Sequence, residues 1–172
     1  MTKQYEVSVD STEILKYIEN KKNNEEFQIL TDITAVDYIQ QYECFEVVYI
    51  MTSITKNIRL IIKAKLMQNK SIESLCDLYP CASWLEREIY DMFGIKFHGH
   101  PDLKRILTEY DFEHHPLRKD FPLTGYHEVH YNINAEKITR RPVRLPIEYR
   151  DLNSQSPWKG STYDEDKNVD SD

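Results

Sequence analysis

The pattern of hydrophobic and polar residues between positions 27 and 66 predicts three β-strands. "FEVVYIMTSI" (45–54) is apolar at both alternating sets of positions, which is typical of a central strand covered on each side. "IRLIIKAKL" (58–66) alternates apolar with mainly basic residues, so we predict a strand with one more solvated face. The short link at 55–57 predicts a hairpin between them. "FQILTDITAVDY" (27–38) is rich in β-branched residues and predicts a strand with a bend.

Helical spacing predicts two helices outside these strands. Asp10 followed by Glu13 fits a capping box, and an apolar stripe comes next, so the first helix is expected over 11–21. "SIESLCDLY" (71–79) predicts a short second helix that ends before Pro80, because proline cannot continue a helix.

A third helix is predicted from Ser83 onwards. Ser83 and Glu86 have the S-x-x-E spacing of a capping box, in which each side chain satisfies a free backbone N–H. Gly94 is placed to end the helix in a left-handed conformation. The core-facing stripe of this helix consists of Leu85, Ile89, Met92 and Phe93.

The character of the chain changes near residue 100. Prolines and aromatic residues recur, and neither helical nor strand periodicity persists. Such a stretch cannot readily build its own core, yet it is too aromatic to be a solvated tail. We therefore predict an α+β domain with a mixed sheet and packed helices over 1–107, an extended partner-binding arm over 108–163, and an acidic, disordered tail over 164–172.

Composition and charge exclude several classes of function. The 172 residues are 40% hydrophobic and 30% charged, which fits a globular chain with a modest core. A net charge of −7 disfavours a protein built to coat nucleic acid, although the arm concentrates basic residues that would suit RNA or an acidic protein. The apolar runs fall far short of the roughly 20 residues of a transmembrane helix, and the N-terminus lacks the apolar segment of a signal peptide. We expect membrane association only through a partner and no binding of nucleic acid.

Motifs for bound electron carriers are also missing from the sequence. The sequence has three cysteines, Cys44, Cys76 and Cys81, and no CxxC motif. The odd number disfavours a disulfide framework and indicates a reducing compartment. An iron–sulfur cluster needs four thiolates, more than this sequence contains. The sequence has four glycines and neither GxGxxG nor GxxxxGK, so autonomous nucleotide binding is disfavoured.

The carboxylates Glu86 and Glu88 are the first candidates for catalysis, as an acid–base pair. Residues two apart on a helix point to different faces, and Glu86 already has a predicted capping role. Arg87 and Asp91 are four residues apart and can pair with each other. Together with Glu88 they predict an outward charged face opposite the apolar stripe, which suits solvent or a partner better than catalysis.

Four of the six histidines, His98, His100, His114 and His115, form the second candidate site. Alternate residues of a strand share a face, so His-x-His can place both rings on one side, and imidazole is a common zinc ligand. However, the spacing fits no well-defined zinc pattern, and HExxH does not occur. A metal-dependent enzyme that uses this cluster is the alternative to structural or interface hydrogen bonding.

Two segments resemble a known family. "SWLEREIYDMFGIKFHGHPDLKRIL" and "HPLRKDFPLTGY" are similar to the thirty-kilodalton hydrophilic subunit of respiratory complex I, which is the C subunit of bacterial NADH–quinone oxidoreductase and subunit nine when mitochondrially encoded. Weaker similarity covers roughly residues 25–160. The family signature falls on Glu86, Arg87, Glu88, Asp91, Met92, Phe93, His100, Lys104, Ile106 and Leu107.

The resemblance implies a non-catalytic structural and assembly subunit in the peripheral arm of a proton-translocating NADH–quinone oxidoreductase, docked against the large quinone-site subunit. It implies that this chain binds no cofactor and no metal, whereas the complex uses NADH, FMN, iron–sulfur clusters and quinone. It also implies a peripheral position on the inner membrane, on the cytoplasmic side in a bacterium or the matrix side in a mitochondrion. Partner docking is then expected at Glu86, Arg87, Glu88, Asp91, His100, Lys104, Arg105, His115, Pro116, Arg118, Lys119 and Asp120.

The chain departs from the family pattern in two places. His114 stands where the family usually has glycine, so we expect an altered turn there. The chain also begins late relative to the family, so we expect the strand before the first helix to be shortened or missing. An equivalent subunit of a related membrane-bound hydrogenase or a plastid-type complex is the alternative within the wider family, and "HPLRKDFPL" (115–123) favours the quinone-reducing version.

Overall fold

The computed structural model describes residues 3–144, so residues 145–163 of the predicted arm and the predicted tail (164–172) lie outside the described residues. No helix among residues 3–144 has the length and apolar character needed to cross a membrane. The elements, in chain order, are β1 (Lys3–Asp10), α1 (Ile14–Glu25), β2 (Ile29–Tyr38), α2 (Ile39–Tyr42), β3 (Cys44–Ser53), β4 (Ile58–Met67), β5 (Ser71–Glu73), α3 (Ala82–Phe93), β6 (Lys96–His98), β7 (His127–Asn132) and β8 (Lys137–Pro142).

A mixed sheet of four strands is at the centre of the fold, in the order β1–β4–β3–β2. β1 runs parallel to β4, whereas β4, β3 and β2 are successively antiparallel. Tyr49 of β3 lies opposite Ile62 of β4 and Ile33 of β2, so alternate residues of these strands share one face of the sheet. All three side chains are buried on that face.

All three predicted strands and the hairpin between β3 and β4 are confirmed. β2 has a register irregularity between Leu30 and Asp32, which accounts for its predicted bend. Glu46, Ile50 and Thr52, on the second face of β3, stay partly exposed. The prediction that β3 is covered on both sides therefore holds for one face, as in many antiparallel sheets with one packed and one solvated face.

The helices α1 and α3 pack on the buried face of the sheet. Their side chains join those of β2, β3 and β4 in one hydrophobic cluster. Each fully buried aliphatic or aromatic side chain contributes about 1.5–3 kcal/mol through removal from water. The predicted α+β fold with a mixed sheet is confirmed, and the helical residues buried in this cluster are Ile14, Ile18, Ala82, Ile89 and Phe93, with Leu85 and Met92 packed against it.

The N-terminal region differs from the prediction in two respects. The strand expected to be shortened or missing is present as β1, and it pairs with β4 along its whole length. The predicted capping box is wrong, because Glu13 is the N-cap of α1 and no side chain caps this helix. The Asp10 carboxylate instead accepts the Thr12 N–H at 2.8 Å, a local turn that uses the oxygen required by the capping box.

The helix predicted over 71–79 is wrong. This segment begins with the strand β5, which pairs in parallel with β6 so that Ile72 lies opposite Phe97. Turns then lead to α3, and within these turns Leu78 and Tyr79 donate their N–H groups to the carbonyl of Leu75. The pairing partner of β5 is some 25 residues away along the chain, and a helical spacing within one segment cannot reveal such a partner.

The predicted end of α3 is confirmed, and its predicted start is wrong. Gly94 has a φ of +79° and donates its N–H to the Tyr90 carbonyl at 2.9 Å, a left-handed cap that glycine adopts without strain. At the other end, Cys81 is the N-cap residue and no side chain provides a capping hydrogen bond. Ser83 is inside the helix, and Glu86 has a different partner, described below.

The described part of the predicted arm contains a hairpin that the sequence pattern does not predict. β7 and β8 pair antiparallel, with Tyr131 opposite Ile138. Turns fill residues 108–126, and several of these residues form hydrogen bonds with the α+β domain. A two-stranded hairpin is marginally stable alone, so we expect the hairpin of β7 and β8 to depend on contacts outside it.

Candidate partner-docking site

Asp91 is the centre of the contacts between α3 and the segment 104–108, which we call the arm root. One carboxylate oxygen, Oδ2, accepts the backbone N–H groups of Ile106, Leu107 and Thr108 at 3.0, 2.7 and 2.9 Å. The other, Oδ1, accepts Nη1 of Arg105 at 2.7 Å. The Asp91 side chain is fully buried. A buried carboxylate is tolerated because donors surround it, so Asp91 and the arm root depend on each other.

The charge of Asp91 is stabilised by these donors. Burial alone would raise the pKa of Asp91, but the hydroxyl and N–H of Thr108, the N–H of Ile106 and the Arg105 guanidinium hold it well below its usual range. Asp91 is therefore ionised throughout the physiological pH range. The prediction that Asp91 belongs to an outward charged face is wrong, because the arm root covers the edge of α3 that it occupies.

Arg87 also binds the arm root, one helical turn before Asp91. Its Nε and Nη2 atoms donate to the backbone carbonyls of Lys104 and Arg105 at 3.1 and 3.0 Å. The guanidinium lies over the ring of Trp84, with 5.1 Å between its Cζ and the ring centroid. The predicted pairing of Arg87 with Asp91 is therefore wrong. Instead, Arg87 binds backbone carbonyls of the arm root, and Asp91 binds its backbone N–H groups.

Glu86 faces the interior, and its predicted capping role is wrong. The side chain is fully buried and accepts hydrogen bonds from the Ser74 hydroxyl at 2.6 Å and the Leu75 N–H at 2.7 Å. Burial raises the pKa of Glu86 in spite of these donors. Glu86 therefore connects α3 to the turn after β5. Glu88, which sequence reasoning pairs with it, is exposed on another side of the helix.

The histidines of the H-x-H motif have separate partners. Nδ1 of His100 accepts the Asp102 N–H at 3.0 Å, so its proton is on Nε2, which donates to the Ser83 carbonyl at 3.1 Å. His98 is exposed, and its Nδ1 contacts a carboxylate oxygen of Glu73 at 3.2 Å. The loop after β6 thus turns the two rings to different surroundings, and His100 is held against the start of α3.

His115 packs against the end of α3. Its Nδ1–H donates to the backbone carbonyl of Asp91 at 2.9 Å, and its ring meets that of Tyr90 edge-to-face. Burial, and then the nearby charges of Arg105 and Arg118, lower the pKa of His115. His114 points away into a different cluster. Among the residues that the structure describes, the four histidines therefore do not come together as the alternative, a metal site, requires.

The segment after His115 continues along the α+β domain. Leu117 donates its N–H to the Met92 carbonyl at 3.0 Å, and Lys119 donates its N–H to Oδ2 of Asp37 at 2.8 Å. Asp37 is buried at the end of β2, and its other oxygen accepts the Ile39 N–H at 2.7 Å. Sequence reasoning missed Asp37, although an acidic residue at a core-facing position of a predicted strand is a usable signal.

Aromatic rings form a small cluster within the arm. Phe112, His114, Phe121 and Tyr126 pack with ring centroids 4.9–6.1 Å apart. The Arg105 guanidinium lies over Phe112, 5.6 Å from the ring centroid. Such aromatic pairs contribute about 0.5–1.5 kcal/mol each beyond the area that they bury. His114, at the position of the family glycine, is thus part of the packing of the arm.

Beyond this cluster the arm exposes large apolar side chains. Leu123 is 88% exposed, Tyr110 80% and Ile133 79%. Arg140 of β8 forms ion pairs with Glu109 and Asp111, which joins the hairpin to the segment after the arm root. An open cleft of about 840 Å³ lies between these parts, and its lining includes Leu107, Glu109, Asp111, Phe112, Leu123, Val129, Arg140 and Pro142.

The predicted docking residues fall into three groups by their exposure to solvent. The residues Glu86 and Asp91 are buried, and their contacts lie within the chain. Their role toward a partner stays a prediction, as it does for the other signature residues. The half-buried members are Arg87, His100, Arg105, His115, Pro116 and Arg118, and the exposed ones are Glu88, Lys104, Lys119 and Asp120.

Comparison with known proteins gives consistent results. Residues 7–127 match the family described as "Respiratory-chain NADH dehydrogenase, 30 Kd subunit". The C subunit of the NADH-quinone oxidoreductase of Ruegeria sp. (strain TM1040) is 48% identical over 137 residues, which cover 80% of this chain and 68% of that protein. The protein of the same name from Rickettsia bellii (strain RML369-C) is 46% identical over 157 residues, covering 90% of this chain and 80% of its own.

A solved structure shares the fold. The chain superimposes on a component of the membrane-bound sulfane sulfur reductase, an archaeal respiratory membrane complex, with a TM-score of 0.64 and 25% sequence identity. The alignment covers 72% of this chain and 74% of the other.

Proposed function

The chain belongs to the family of 30 kDa subunits of the respiratory-chain NADH dehydrogenase, and from this premise we propose that its own role in the complex is structural. It is the C subunit of an NADH–quinone oxidoreductase and part of the peripheral arm of that complex. We propose that it docks against the large quinone-site subunit and contributes assembly and stability to the enzyme. Reaction with NADH and quinone, and proton translocation, are then activities of the whole complex.

The observation that carries this proposal is the exposed apolar surface of the arm. Leu123, Tyr110 and Ile133 lie almost fully in solvent, and Leu123 lines the open cleft. Large apolar side chains that are exposed to this extent suit an interface, which removes them from water. Each such side chain contributes to binding once a partner removes it from water, and large aromatic residues near the centre of an interface contribute most.

The described part of the chain also supports a non-catalytic role. The buried carboxylates of Asp37, Glu86 and Asp91 accept hydrogen bonds from groups of the same chain. Groups used in this way hold segments together and are poorly placed to exchange protons with a substrate. We propose that the NADH, FMN, iron–sulfur clusters and quinone of the complex bind to other subunits, and that this chain meets the inner membrane through those subunits.

The NADH–quinone oxidoreductase is favoured over the related membrane-bound complexes. Curated relatives at 44–48% identity are NADH–quinone oxidoreductase subunits, whereas identity to the component of the archaeal sulfane sulfur reductase is 25%. The shared fold is thus consistent with a common module, and the higher identity favours the quinone-reducing complex.

Aspartate substitutions at exposed apolar residues test the docking proposal. We expect Leu123→Asp and Ile133→Asp to reduce co-purification of the large quinone-site subunit at least tenfold, since each would place a charge in an apolar interface. Ile54→Asp is the matched control, because Ile54 is 72% exposed but lies in the turn between β3 and β4. Equal co-purification by the arm variants and the wild type, or an equal loss with Ile54→Asp, would contradict docking through the arm.

A further inference from the structure

Three side chains with metal-binding groups meet at the start of α3. The ligand atoms of Cys76, Glu86 and His100 all lie within 4.8 Å of one another. Cys76 comes from the turn after β5, Glu86 from the second turn of α3, and His100 from the loop after β6. This grouping differs from the four-histidine candidate site considered in the sequence, with which it shares one residue.

The spacing of two of these atoms matches a tetrahedral zinc site. Zinc lies about 2.3 Å from cysteine sulfur and about 2.0–2.2 Å from carboxylate oxygen, so the two ligands of a tetrahedral ion are roughly 3.6 Å apart. Sγ of Cys76 and Oε2 of Glu86 are 3.7 Å apart. The third ligand atom needs only to approach by about 1 Å, which a side-chain rotation can provide.

Among residues 3–144, no lysine or arginine donates a hydrogen bond to Glu86. Its described hydrogen-bond donors are the hydroxyl of Ser74, the N–H of Leu75 and the thiol of Cys76, all of them neutral groups. A fully buried carboxylate is normally paired with a cation or coordinates a metal. Asp91 on the next turns of the same helix shows the contrast, since it pairs with Arg105 at 2.7 Å.

One of the two hydrogen bonds of His100 is of the kind that metal-binding histidines usually make. Its protonated nitrogen donates to the Ser83 carbonyl, and its unprotonated nitrogen accepts the Asp102 N–H. Histidine ligands typically donate their second N–H to a carbonyl or carboxylate, which fixes the ring. Metal binding would exchange one of these two hydrogen bonds for a coordinate bond.

We propose that Cys76, Glu86 and His100 form a zinc-binding site that fastens the turn after β5 and the loop after β6 to α3. Thiolate, imidazole and carboxylate together favour Zn²⁺ over the hard cations Mg²⁺ and Ca²⁺. The partial exposure of Cys76 and His100 leaves a fourth position for water. Binding releases the thiol proton, because the thiolate is the form that coordinates. The site adds a structural role within the chain and is independent of docking through the arm.

Zinc titration of the full-length chain tests the proposal. After treatment with a chelator, the protein is dialysed against Zn²⁺ and its metal content is measured, with Co²⁺ used in parallel for its thiolate absorption band. We expect one zinc ion per chain, a cobalt–thiolate band, and a Tm higher by roughly 5–10 °C at zinc concentrations about a hundred times Kd. Cys76→Ser and His100→Ala should each weaken binding at least tenfold.

Cys81→Ser and His98→Ala are matched controls. Both residues are exposed and close in sequence to the proposed ligands, but neither belongs to the cluster. We expect both variants to retain wild-type zinc affinity and the cobalt–thiolate band. The proposal is overturned if the wild type retains no zinc after dialysis. It is also overturned if Cys76→Ser binds zinc as tightly as the wild type, or if Cys81→Ser loses the cobalt–thiolate band.

Discussion

The α+β domain buries its large apolar side chains, whereas the arm exposes side chains of the same kinds. In the domain, apolar side chains such as Tyr49 and Ile62 are wholly buried, and the sheet satisfies the backbone. In the arm, Tyr110 and Ile133 are 80% and 79% exposed, while polar groups hold the chain to the domain. The domain therefore has the core that stabilises a fold, whereas residues 108–144 of the arm are held to the domain by polar contacts and expose apolar side chains.

Several residues of the family signature lie at the junction between these two regions. Arg87 and Asp91 bind the arm root through its carbonyls and its N–H groups, respectively. His115 and the residues that follow continue this attachment along the end of α3. A short motif of charged residues can thus fix the direction in which a long segment leaves a domain.

Removal of the Asp91 carboxylate should have the largest effect on this junction. We expect Asp91→Ala to destabilise the chain by about 3–5 kcal/mol, because it leaves Arg105 without its buried partner and three N–H groups without an acceptor. Urea unfolding monitored by circular dichroism measures the change. Asp111→Ala is the control, since Asp111 is an exposed aspartate that also pairs with an arginine, and no measurable loss is expected. Comparable losses in both variants would show that Asp91 has no special role.

Truncation of one isoleucine in each region tests the contrast in burial directly. Ile62 is fully buried in β4, so Ile62→Ala should cost about 2–5 kcal/mol in the free energy of unfolding. Ile133→Ala should change it by less than about 0.5 kcal/mol in the isolated chain. Both values follow from the same denaturant titration. A substantial loss for Ile133→Ala would mean that the arm buries this residue in solution, contrary to the structure.

Two glycines with similar φ angles separate backbone strain from packing against His115. A Cβ on Gly94 would lie 2.7 Å from the ring of His115, whereas a Cβ on Gly99 would meet nothing within 4 Å. We expect Gly94→Ala to cost about 2–3 kcal/mol and Gly99→Ala about 1 kcal/mol, because both lose the left-handed preference of glycine and one also displaces the ring. Thermal and urea unfolding measure the difference. Equal costs would mean that the His115 ring moves away freely.

The pH dependence of stability should distinguish the two buried carboxylates of α3. Because the folded pKa of Glu86 is raised, its contribution is fully present below about pH 4.3 and is lost as the pH rises through the folded pKa. With a chelator present, Glu86→Gln should remove this decline in the free energy of unfolding. The variant should therefore become more stable relative to the wild type as the pH rises from 4 to 7. The measurement is the free energy of unfolding across this pH range. The same pH dependence in the wild type and in Glu86→Gln would contradict the expectation.

Asp91 should show the opposite sign. Its folded pKa is lowered, so its contribution is present above about pH 3.9 and is lost as the pH falls further toward the folded pKa. The difference in stability between the wild type and Asp91→Asn should therefore shrink only in strong acid. A difference that already shrinks near pH 6 would contradict the attachment of the ionised carboxylate to the arm root.

The sequence by itself determined the parts of this protein that depend on local periodicity and on short motifs. Richness in β-branched residues predicted β2, a run that is apolar on both faces predicted β3, and alternation predicted β4. Helical spacing predicted the buried stripe of α3, and Gly94 predicted the end of that helix. The signature around Glu86 and His100 indicated the family. These features follow from which side of a segment must leave water and from backbone preferences of single residues, both of which are encoded within a few positions.

Tertiary structure alone decided which partners the polar residues have. Glu86 and Asp91 are both acidic positions on α3, yet one binds the turn after β5 and the other binds the arm root. The partners come from segments about 10–20 residues away, and Asp37 binds a residue 82 positions along the chain. A buried carboxylate is stabilised by whichever donors the fold brings to it, and hydrophobic patterning does not specify those donors. For that reason an outward charged face predicted from spacing became the attachment site of the arm.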